Sequence, residues 1–219
     1  MKILNLYACL GGNRYKWGDE HEITAVELDP ELARMYQERF KNDTVIIGDA
    51  HQYLLDHYKD FDFIWSSPPC PSHSRARYWN SSNYDTPTKG IYPEMSLYQE
   101  IIFLDNFFKG KYVVENVIPY YEPLIIAKKR GRHLYWTNFL LPSILSERKI
   151  KISGDSKQPN NTEVKDLCRF HCIDLSEYKG DQPKRKIARN LVDYEAGKTI
   201  LDTAMGIITK QNEKQIDLF

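Results

Sequence analysis

MKILNLYACLGG, residues 1–12, is the stretch that decides the fold. Its apolar run Ile3–Tyr7 predicts a buried strand, and Gly11-Gly12 predicts the turn that follows it. Helical patterns at about Pro30–Phe40 and Pro93–Phe108 alternate with further apolar runs at Ile23–Glu27, Thr44–Ile47, Phe61–Ser66, Tyr112–Val117 and His133–Thr137. Such alternation is typical of a parallel sheet with helices on its faces, so the sequence predicts an α/β fold.

The composition is that of one folded domain with a small appendage. Of the 219 residues, 42% are apolar and 27% charged, which is typical of a soluble globular protein. No apolar run approaches the roughly 20 residues of a membrane span. The four cysteines are irregularly spaced, which suits reduced thiols better than a disulfide framework. We therefore expect a cytoplasmic protein with no membrane partner.

Net charge does not decide whether nucleic acid is a partner. Thirty basic residues balance thirty acidic ones, so the local distribution has to be considered instead. Polarity rises after Pro142, and residues 150–187 show no sustained helical or strand period, which indicates a small, loop-rich insert. The region between Phe139 and Ala188 is locally basic, consistent with contacts to a phosphate backbone. Helical spacing returns over Val192–Ile207.

The ends of the predicted strands carry the residues of chemical interest, because ligands of open parallel sheets bind at the carboxyl ends of the strands. Small residues within Tyr7–Gly12 let a cofactor approach the backbone. Glu27 ends the second strand, where a carboxylate commonly binds ribose hydroxyls, and Asp49 follows the third, placed to accept from an adenine amino group. Each residue alone also has an ordinary structural explanation. In this order they predict a cofactor that contains a nucleoside.

Cys70 and Glu115 follow the next two strands. Cys70 lies in a turn stiffened by Pro68, Pro69 and Pro71, although a free cysteine is more often a small buried hydrophobic residue. The alternative explanation for Glu115 is an ion pair with a nearby arginine. Adjacent strand ends place both side chains in one pocket. Chemistry at carbon 5 of cytosine needs such a pair, a thiolate that adds at carbon 6 and an acid at ring nitrogen 3.

These motifs, in this order, resemble those of the cytosine-5 DNA methyltransferases. The resemblance covers about residues 3–138 and resumes near the end of the chain; its motifs are Tyr7–Gly12, Glu27–Pro30, Gly48–Ala50, Ser67–Cys70, Glu115–Val117, Arg130–Arg132, Arg189–Leu191, Glu195 and Met205–Ile207. It implies a Rossmann-like methyltransferase sheet that binds S-adenosylmethionine. The implied division is a catalytic domain at 1–138, a target recognition insert at 139–187, a return helix at 188–210 and a tail at 211–219.

The resemblance also implies roles for individual residues. Cys70 is the nucleophile and Glu115 the acid, while Arg132 contacts the base or orients Glu115 and Arg130 assists. Either arginine would give Cys70 an electropositive setting. The implied cofactor contacts are Tyr7, Cys9, Leu10, Gly11, Gly12, Glu27, Leu28, Asp49, Ala50 and Pro69. Residues 71–90 would close over a flipped cytosine of duplex DNA, with DNA contacts from Ser72, Ser74, Arg75, Arg77 and Lys89.

Three departures from the family pattern keep alternatives open. Cys9 stands where the family usually has glycine, and Lys128 where it usually has glutamine. The family's final motif, a helix with a Gly-Asn-Ala/Ser-Val turn, has no counterpart after Met205-Gly206-Ile207. The alternatives are the same pocket acting on RNA or with a modified cofactor, and a DNA-binding module or subunit that has lost turnover.

Two short segments suggest further partners. Cys168, His171 and Cys172 are three possible zinc ligands, but without an evident fourth we favour ordinary thiols and expect no metal. Gln215, Leu218 and Phe219 belong to a pentapeptide that resembles the sliding-clamp docking motif of bacterial replication and repair proteins. The alternative for this pentapeptide is a helix end that folds back on the domain. A short enzyme with such a tail suggests a phage or mobile-element protein that counters restriction.

Overall fold

The computed structural model describes residues 1–81, 89–146, 149–150 and 162–207. Its centre is one seven-stranded sheet in the order β3-β2-β1-β4-β5-β7-β6. The strands are β1 Lys2–Leu6, β2 Glu22–Glu27, β3 Thr44–Ile47, β4 Phe63–Ser66, β5 Lys111–Val117, β6 Lys128–Arg130 and β7 His133–Thr137. Strands β1 to β5 are parallel, whereas β7 is antiparallel to β5 and to the edge strand β6. The predicted α/β fold is confirmed.

Seven helices are found in the described residues. They are α1 Pro30–Arg39, α2 Ala50–His57, α3 Arg75–Ser81, α4 Ser96–Phe107, α5 Glu163–His171, α6 Lys184–Asn190 and α7 Tyr194–Ala204. The sequence predicts α1, α4 and α7 with small differences at their ends, and it predicts β3 and β7 with the observed bounds. It misses α2, β6 and the two short helices of the insert, α5 and α6, and it also misses α3, which lies within the segment 71–90 that was predicted as a loop.

Side chains alternate between the two faces of the sheet, and each face is covered. Ile64 faces a cluster that includes Leu104 of α4, whereas Phe63 and Trp65 face a cluster with Trp17 and Ile200 of α7. The indole of Trp17 donates to the carbonyl oxygen of Gly197 at 3.1 Å. Burial of each large apolar side chain stabilises the fold by about 1.5–3 kcal/mol. The residues at the carboxyl ends of the strands are therefore held on a rigid core.

The insert packs on the carboxyl edge of the sheet rather than standing apart from it. Leu167 of α5 and Ile187 of α6 are buried in one cluster with Leu10 and Leu32 of the main domain. Helix α6 also crosses the boundary at residues 187 and 188 that the sequence suggests. No helix in the described ranges is both long and apolar enough to cross a bilayer.

Candidate active site

A cavity of about 920 Å³ opens at the carboxyl edge of the sheet, and it brings together most of the predicted catalytic and cofactor-binding residues. The predicted residues that line it are Tyr7, Cys9, Glu27, Leu28, Asp49, Ala50, Pro69, Cys70, Ser72 and Glu115. Leu10 is buried in the turn after β1, and Gly12 lines a small adjoining pocket together with Tyr7. Gly11 adopts a positive φ of 65° in the same turn. Such a volume is that of a cofactor site.

Cys70 and Glu115 lie in this cavity on neighbouring loops. The side-chain amide of Asn116 donates to the carbonyl oxygen of Pro68 at 3.0 Å, which ties the loop after β5 to the loop after β4. Burial, and next the carboxylate of Glu115, raise the pKa of Cys70 to about 11. The thiol is therefore protonated near neutral pH and needs a cation nearby to become a good nucleophile.

The turn that carries Cys70 is closed by its own backbone. The carbonyl oxygen of Cys70 accepts from the amides of His73 at 3.0 Å and Ser74 at 3.1 Å. The buried ring of His73 is joined through Nδ1 to the hydroxyl of Tyr121 at 2.5 Å. This turn holds the cysteine at a fixed place in the cavity wall.

Glu115 is 7% exposed, and its neighbour is a histidine that the sequence analysis does not single out. Nε2 of His133 lies 3.5 Å from Oε1 of Glu115. The antiparallel register of β5 and β7, in which Val117 pairs with His133, produces this approach. His133 also lines the cavity.

Neither Arg130 nor Arg132 lines the cavity. The guanidinium of Arg130 donates instead to the carbonyl oxygens of Pro142, Leu141 and Lys129. Arg132 is exposed beside Gly131, in the turn between β6 and β7. The expectation that one of them gives Cys70 an electropositive setting is not supported by the lining, whereas Lys186 of α6 is a basic residue that does line the cavity.

Glu27 fixes the turn after β1. Oε2 accepts from the amide of Cys9 at 2.8 Å, and Oε1 accepts from the amide of Asp29 at 2.9 Å. Burial raises the pKa of Glu27 despite these hydrogen bonds. Each carboxylate oxygen can accept a second hydrogen bond, so Glu27 keeps acceptor capacity toward the cavity that it lines.

The backbone conformation at Cys9 explains why the family usually has a glycine at this position. Its φ is 49°, and that of Tyr7 is 56°. The left-handed region costs a residue with a side chain about 1–2 kcal/mol, whereas glycine adopts it freely. The family's glycine therefore has a backbone reason. Burial, and next Glu27, raise the pKa of Cys9 to about 12, so a neutral thiol faces the cavity.

Lys128, which stands in the family's glutamine position, also has a structural role. Its ammonium group donates to the hydroxyl of Thr137 at 2.7 Å and to the carbonyl oxygen of Phe139 at 2.6 Å. These bonds join the edge strand β6 to the end of β7.

Asp49 begins α2 as its N-cap. Its Oδ1 accepts from the amide of Gln52 at 2.9 Å, and the residue is exposed at the cavity. The cap engages one carboxylate oxygen, and the other is the natural acceptor for a ligand amino group.

Glu100 of α4 is a buried carboxylate under the cavity that the sequence analysis misses. It is 0% exposed, and it accepts from the hydroxyl of Tyr7 at 2.5 Å and that of Ser66 at 2.6 Å. Nδ1 of His51 lies 3.0 Å from Oε1 of Glu100, and this hydrogen bond raises the pKa of His51. One carboxylate thus joins the ends of β1 and β4 to the start of α2. A charged residue within the apolar pattern of α4 is the signal that identifies it.

The insert forms one wall of the cavity. Oδ2 of Asp29 accepts from the hydroxyl of Tyr178 at 2.8 Å and from Nε2 of Gln182 at 2.9 Å. Gln182 lines the cavity, as do Lys186, Arg189 and Asn190 of α6. None of these four is among the residues singled out for cofactor binding from the sequence.

Of the predicted DNA-contacting residues that the structure describes, Ser72 lines the cavity and Ser74, Arg75 and Lys89 do not. Ser72 accepts from the amide of Glu94 at 3.0 Å through its Oγ, and the Nε of Arg75 donates to the carbonyl oxygen of Pro119 at 3.0 Å. Ser74 forms a β-bridge with Pro119, and Lys89 is exposed. The side chain of Arg77 lies outside the described residues, as do Gln215, Leu218 and Phe219.

None of the four cysteines forms a disulfide. His171 is buried at the end of α5, whereas Cys172 is exposed and caps the helix with a φ of 52°. The described part of the chain holds no cluster of three or more histidine, cysteine or acidic side chains suited to a metal ion.

The fold and the sequence can both be compared with those of known proteins. The structure resembles a triple mutant of DNMT2 from Spodoptera frugiperda, with a TM-score of 0.51, 14% identity and coverage of 94% of this chain and 98% of that one. A TehB-like SAM-dependent methyltransferase from Corynebacterium glutamicum matches with a TM-score of 0.32, 19% identity and coverage of 53% and 54%. No curated protein sequence matches the chain. The sequence profile of C-5 cytosine-specific DNA methylases matches residues 1–117, which is more than half of the 219 residues. The chain therefore belongs to the C-5 cytosine-specific DNA methylase family.

Proposed function

We propose that this protein transfers a methyl group from S-adenosylmethionine to carbon 5 of cytosine in DNA, with Cys70 as the nucleophile. The observation that carries the proposal is a single cavity shared by Cys70, Glu115, Glu27 and Asp49. Cys70 and Glu115 suit chemistry on cytosine, whereas Glu27 and Asp49 suit a cofactor that contains a nucleoside. Family membership supports both assignments.

The lining residues fit S-adenosylmethionine in charge as well as in size. The bound cofactor has a positive sulfonium centre and amino group, and the acidic lining residues are Glu27, Asp29, Asp49, Glu94 and Glu115. Glu27 would bind the ribose hydroxyls and Asp49 the adenine amino group. The backbone of the turn from Tyr7 to Gly12 would cradle the methionine part, and Ala50 and Pro69 would bound the rings. The cofactor supplies an electrophilic methyl group.

Cys70 starts the reaction by losing its proton to solvent water, and its Sγ then bonds to carbon 6 of the cytosine. The electron pair of the carbon 5–carbon 6 double bond then makes carbon 5 nucleophilic. Glu115, at ring nitrogen 3 and the amino group, offsets the charge that builds on the ring. After carbon 5 has taken the methyl group, a base removes its proton. The double bond forms again, and Cys70 leaves as a thiolate.

The target base has to leave the duplex, because carbon 6 is shielded in the base stack. The segment that begins at Ser72 would close over the flipped base, with Ser74, Arg75, Arg77 and Lys89 toward the phosphates. Arg132, in the turn beside His133, would orient Glu115 or contact the base once DNA is bound. Arg130 would assist by fixing the start of that turn.

The proposal is tested by mass spectrometry of nucleosides after incubation with S-adenosylmethionine. Duplex DNA, single-stranded DNA and RNA are compared, with wild type beside Cys70→Ala, Glu115→Gln and the control Cys172→Ala, which removes an exposed thiol outside the cavity. We expect 5-methylcytosine in DNA with wild type and the control, none with Cys70→Ala, and at least a hundredfold less with Glu115→Gln. Product in RNA alone, or in none of the three, would contradict the proposal.

We also propose that the segment Gln215–Phe219 docks on a bacterial sliding clamp. Leu218 and Phe219 would fill an apolar pocket while Gln215 hydrogen-bonds beside it. The motif alone supports this proposal. Deletion of residues 215–219 should abolish co-elution with a clamp and leave methylation of short duplexes unchanged. Equal clamp binding by both chains, or none by either, would refute it.

A further inference from the structure

Lys186 is the feature of the cavity that the proposed reaction has not yet used. It lies on α6 and lines the cavity with Cys70 and Glu115. No ion pair in the described part of the chain uses its ammonium group. Arg189, the other strong base of the lining, donates instead to Glu163 at 3.0 Å through Nη2. Lys186 is thus a basic residue without an ion pair in the described part of the chain, and it lines the same cavity as a thiol that needs a cation.

Helix α6 is held so that Lys186 is turned to the cavity. Arg185 and Arg189, one helical turn apart, both pair with the buried carboxylate of Glu163 on α5. Lys186 lies roughly 100° around the helix from Arg185. On a third side, Ile187 is 1% exposed within the apolar cluster of the insert. These contacts fix the rotation of the helix, and with it the direction of the lysine.

The titratable groups that line the cavity with Cys70 come from several elements. Glu115 extends from β5, His133 from β7, and Lys186 from α6; the remaining titratable side chains of the lining are Tyr7, Cys9, Glu27, Asp29, Asp49, His51, Tyr92, Glu94 and Arg189. Burial and Glu115 raise the pKa of Cys70, whereas Lys186 acts in the opposite direction. It has the same effect on the neighbouring thiol of Cys9.

We propose that Lys186 is a positioning residue for the reaction: its ammonium group, which the insert carries into the cavity, stabilises the thiolate of Cys70. The inference rests on the proposed function, in which Cys70 is the nucleophile. It replaces Arg130 and Arg132 as the source of the electropositive setting. The insert, which is also the segment proposed to recognise the DNA, would thus supply the positive charge of Lys186 to the cavity of the main domain.

Alkylation of single cysteines tests this proposal without DNA or cofactor. The chain is treated with iodoacetamide between pH 7 and 9, and peptide mass spectrometry gives a rate for each cysteine. The matched pair of variants is Lys186→Met and Lys184→Met. Lys184 lies on the same helix, and it lowers the pKa of Cys168 rather than that of Cys70.

We expect each of the two variants to slow the alkylation of a different cysteine. Lys186→Met should slow alkylation of Cys70 about two- to threefold, equivalent to an upward shift of about half a pH unit, and leave Cys168 unchanged. Lys184→Met should slow Cys168 and leave Cys70 unchanged. Lys186→Arg, which keeps the charge, should restore the wild-type rate. Circular dichroism confirms the fold, and Lys186→Gln takes the place of any variant that fails to fold.

Several outcomes would overturn the proposal. Equal rates of Cys70 alkylation in wild type and Lys186→Met would show that the ammonium group of Lys186 does not stabilise the thiolate. Equal slowing by both methionine variants, or no recovery with Lys186→Arg, would show a general disturbance of the helix. If the chain never methylated cytosine, but Lys186→Met slowed only Cys70 and Lys184→Met slowed only Cys168, the proposed function would be disproved. The electrostatic inference about Lys186 would then remain intact.

Discussion

Replacement of Glu100 by glutamine should loosen three loops of the cavity at once. The carboxylate accepts from two hydroxyls, those of Tyr7 and Ser66, and contacts the ring of His51. The glutamine amide keeps one acceptor oxygen and turns an NH₂ group toward a hydroxyl that donates. One buried donor therefore loses its partner, at about 1–3 kcal/mol, and a charge-assisted bond becomes a neutral one, at about another 1 kcal/mol. We expect Glu100→Gln to lower the free energy of unfolding by about 3 kcal/mol.

The same substitution should alter the pH dependence of stability. The pKa of His51 is raised in the folded state by its hydrogen bond with Glu100. The stabilisation is therefore fully present below the pKa of an unfolded histidine, about 6.5, and is lost as pH rises through the higher folded pKa. Wild type should lose this increment as the pH rises above about 6.5, whereas Glu100→Gln should not.

Urea denaturation at pH 5.5 and pH 8, followed by tryptophan fluorescence and circular dichroism, measures both effects. Glu122→Gln, at an exposed position, is the matched control and should change stability by less than about 0.5 kcal/mol. The reasoning would be refuted if Glu100→Gln unfolded within 0.5 kcal/mol of wild type. An unchanged pH dependence would refute the part that concerns His51.

Three further substitutions test other parts of the structure. Cys9→Gly relieves a positive φ and should raise the free energy of unfolding by up to about 1 kcal/mol in urea titrations; a loss of stability would contradict the backbone argument. Gly197→Ala places a Cβ 2.4 Å from the carbonyl oxygen of Asn13 and should cost about 1–3 kcal/mol by thermal melting; a neutral result would show that α7 can shift. Glu163→Gln should speed amide exchange in α6, followed by mass spectrometry, while exchange in α4 stays unchanged; equal protection of α6 would show that the two arginines do not hold it.

The sheet was predictable because its signals are local. Buried parallel strands are short apolar runs, and each run ends at a turn residue that the sequence displays directly. The residues at the strand ends, among them Glu27, Cys70 and Glu115, follow from the same order, since parallel strands place their carboxyl ends at one edge. The strands and the residues at their ends can therefore be predicted without knowing which helix packs on which face of the sheet.

The remaining site residues depend on contacts between distant parts of the chain. His51 and Glu100 are 49 residues apart, and no spacing rule relates them. Helices α5 and α6 are only nine and seven residues long, too short to be stable alone, so their stability comes from docking on the main domain. Lys186 could therefore be recognised as part of the cavity only after the insert had been placed.

Asp29 has a consequence for how this protein can be re-engineered. One of its carboxylate oxygens starts α1, while the other receives Tyr178 and Gln182 from the insert. A chimera that exchanged the insert for one of different sequence preference would need to bring equivalent donors. Without them the graft would leave a half-satisfied carboxylate at the wall of the cavity. The insert of this chain is therefore not freely interchangeable, and grafts should keep the segment from Tyr178 to Gln182.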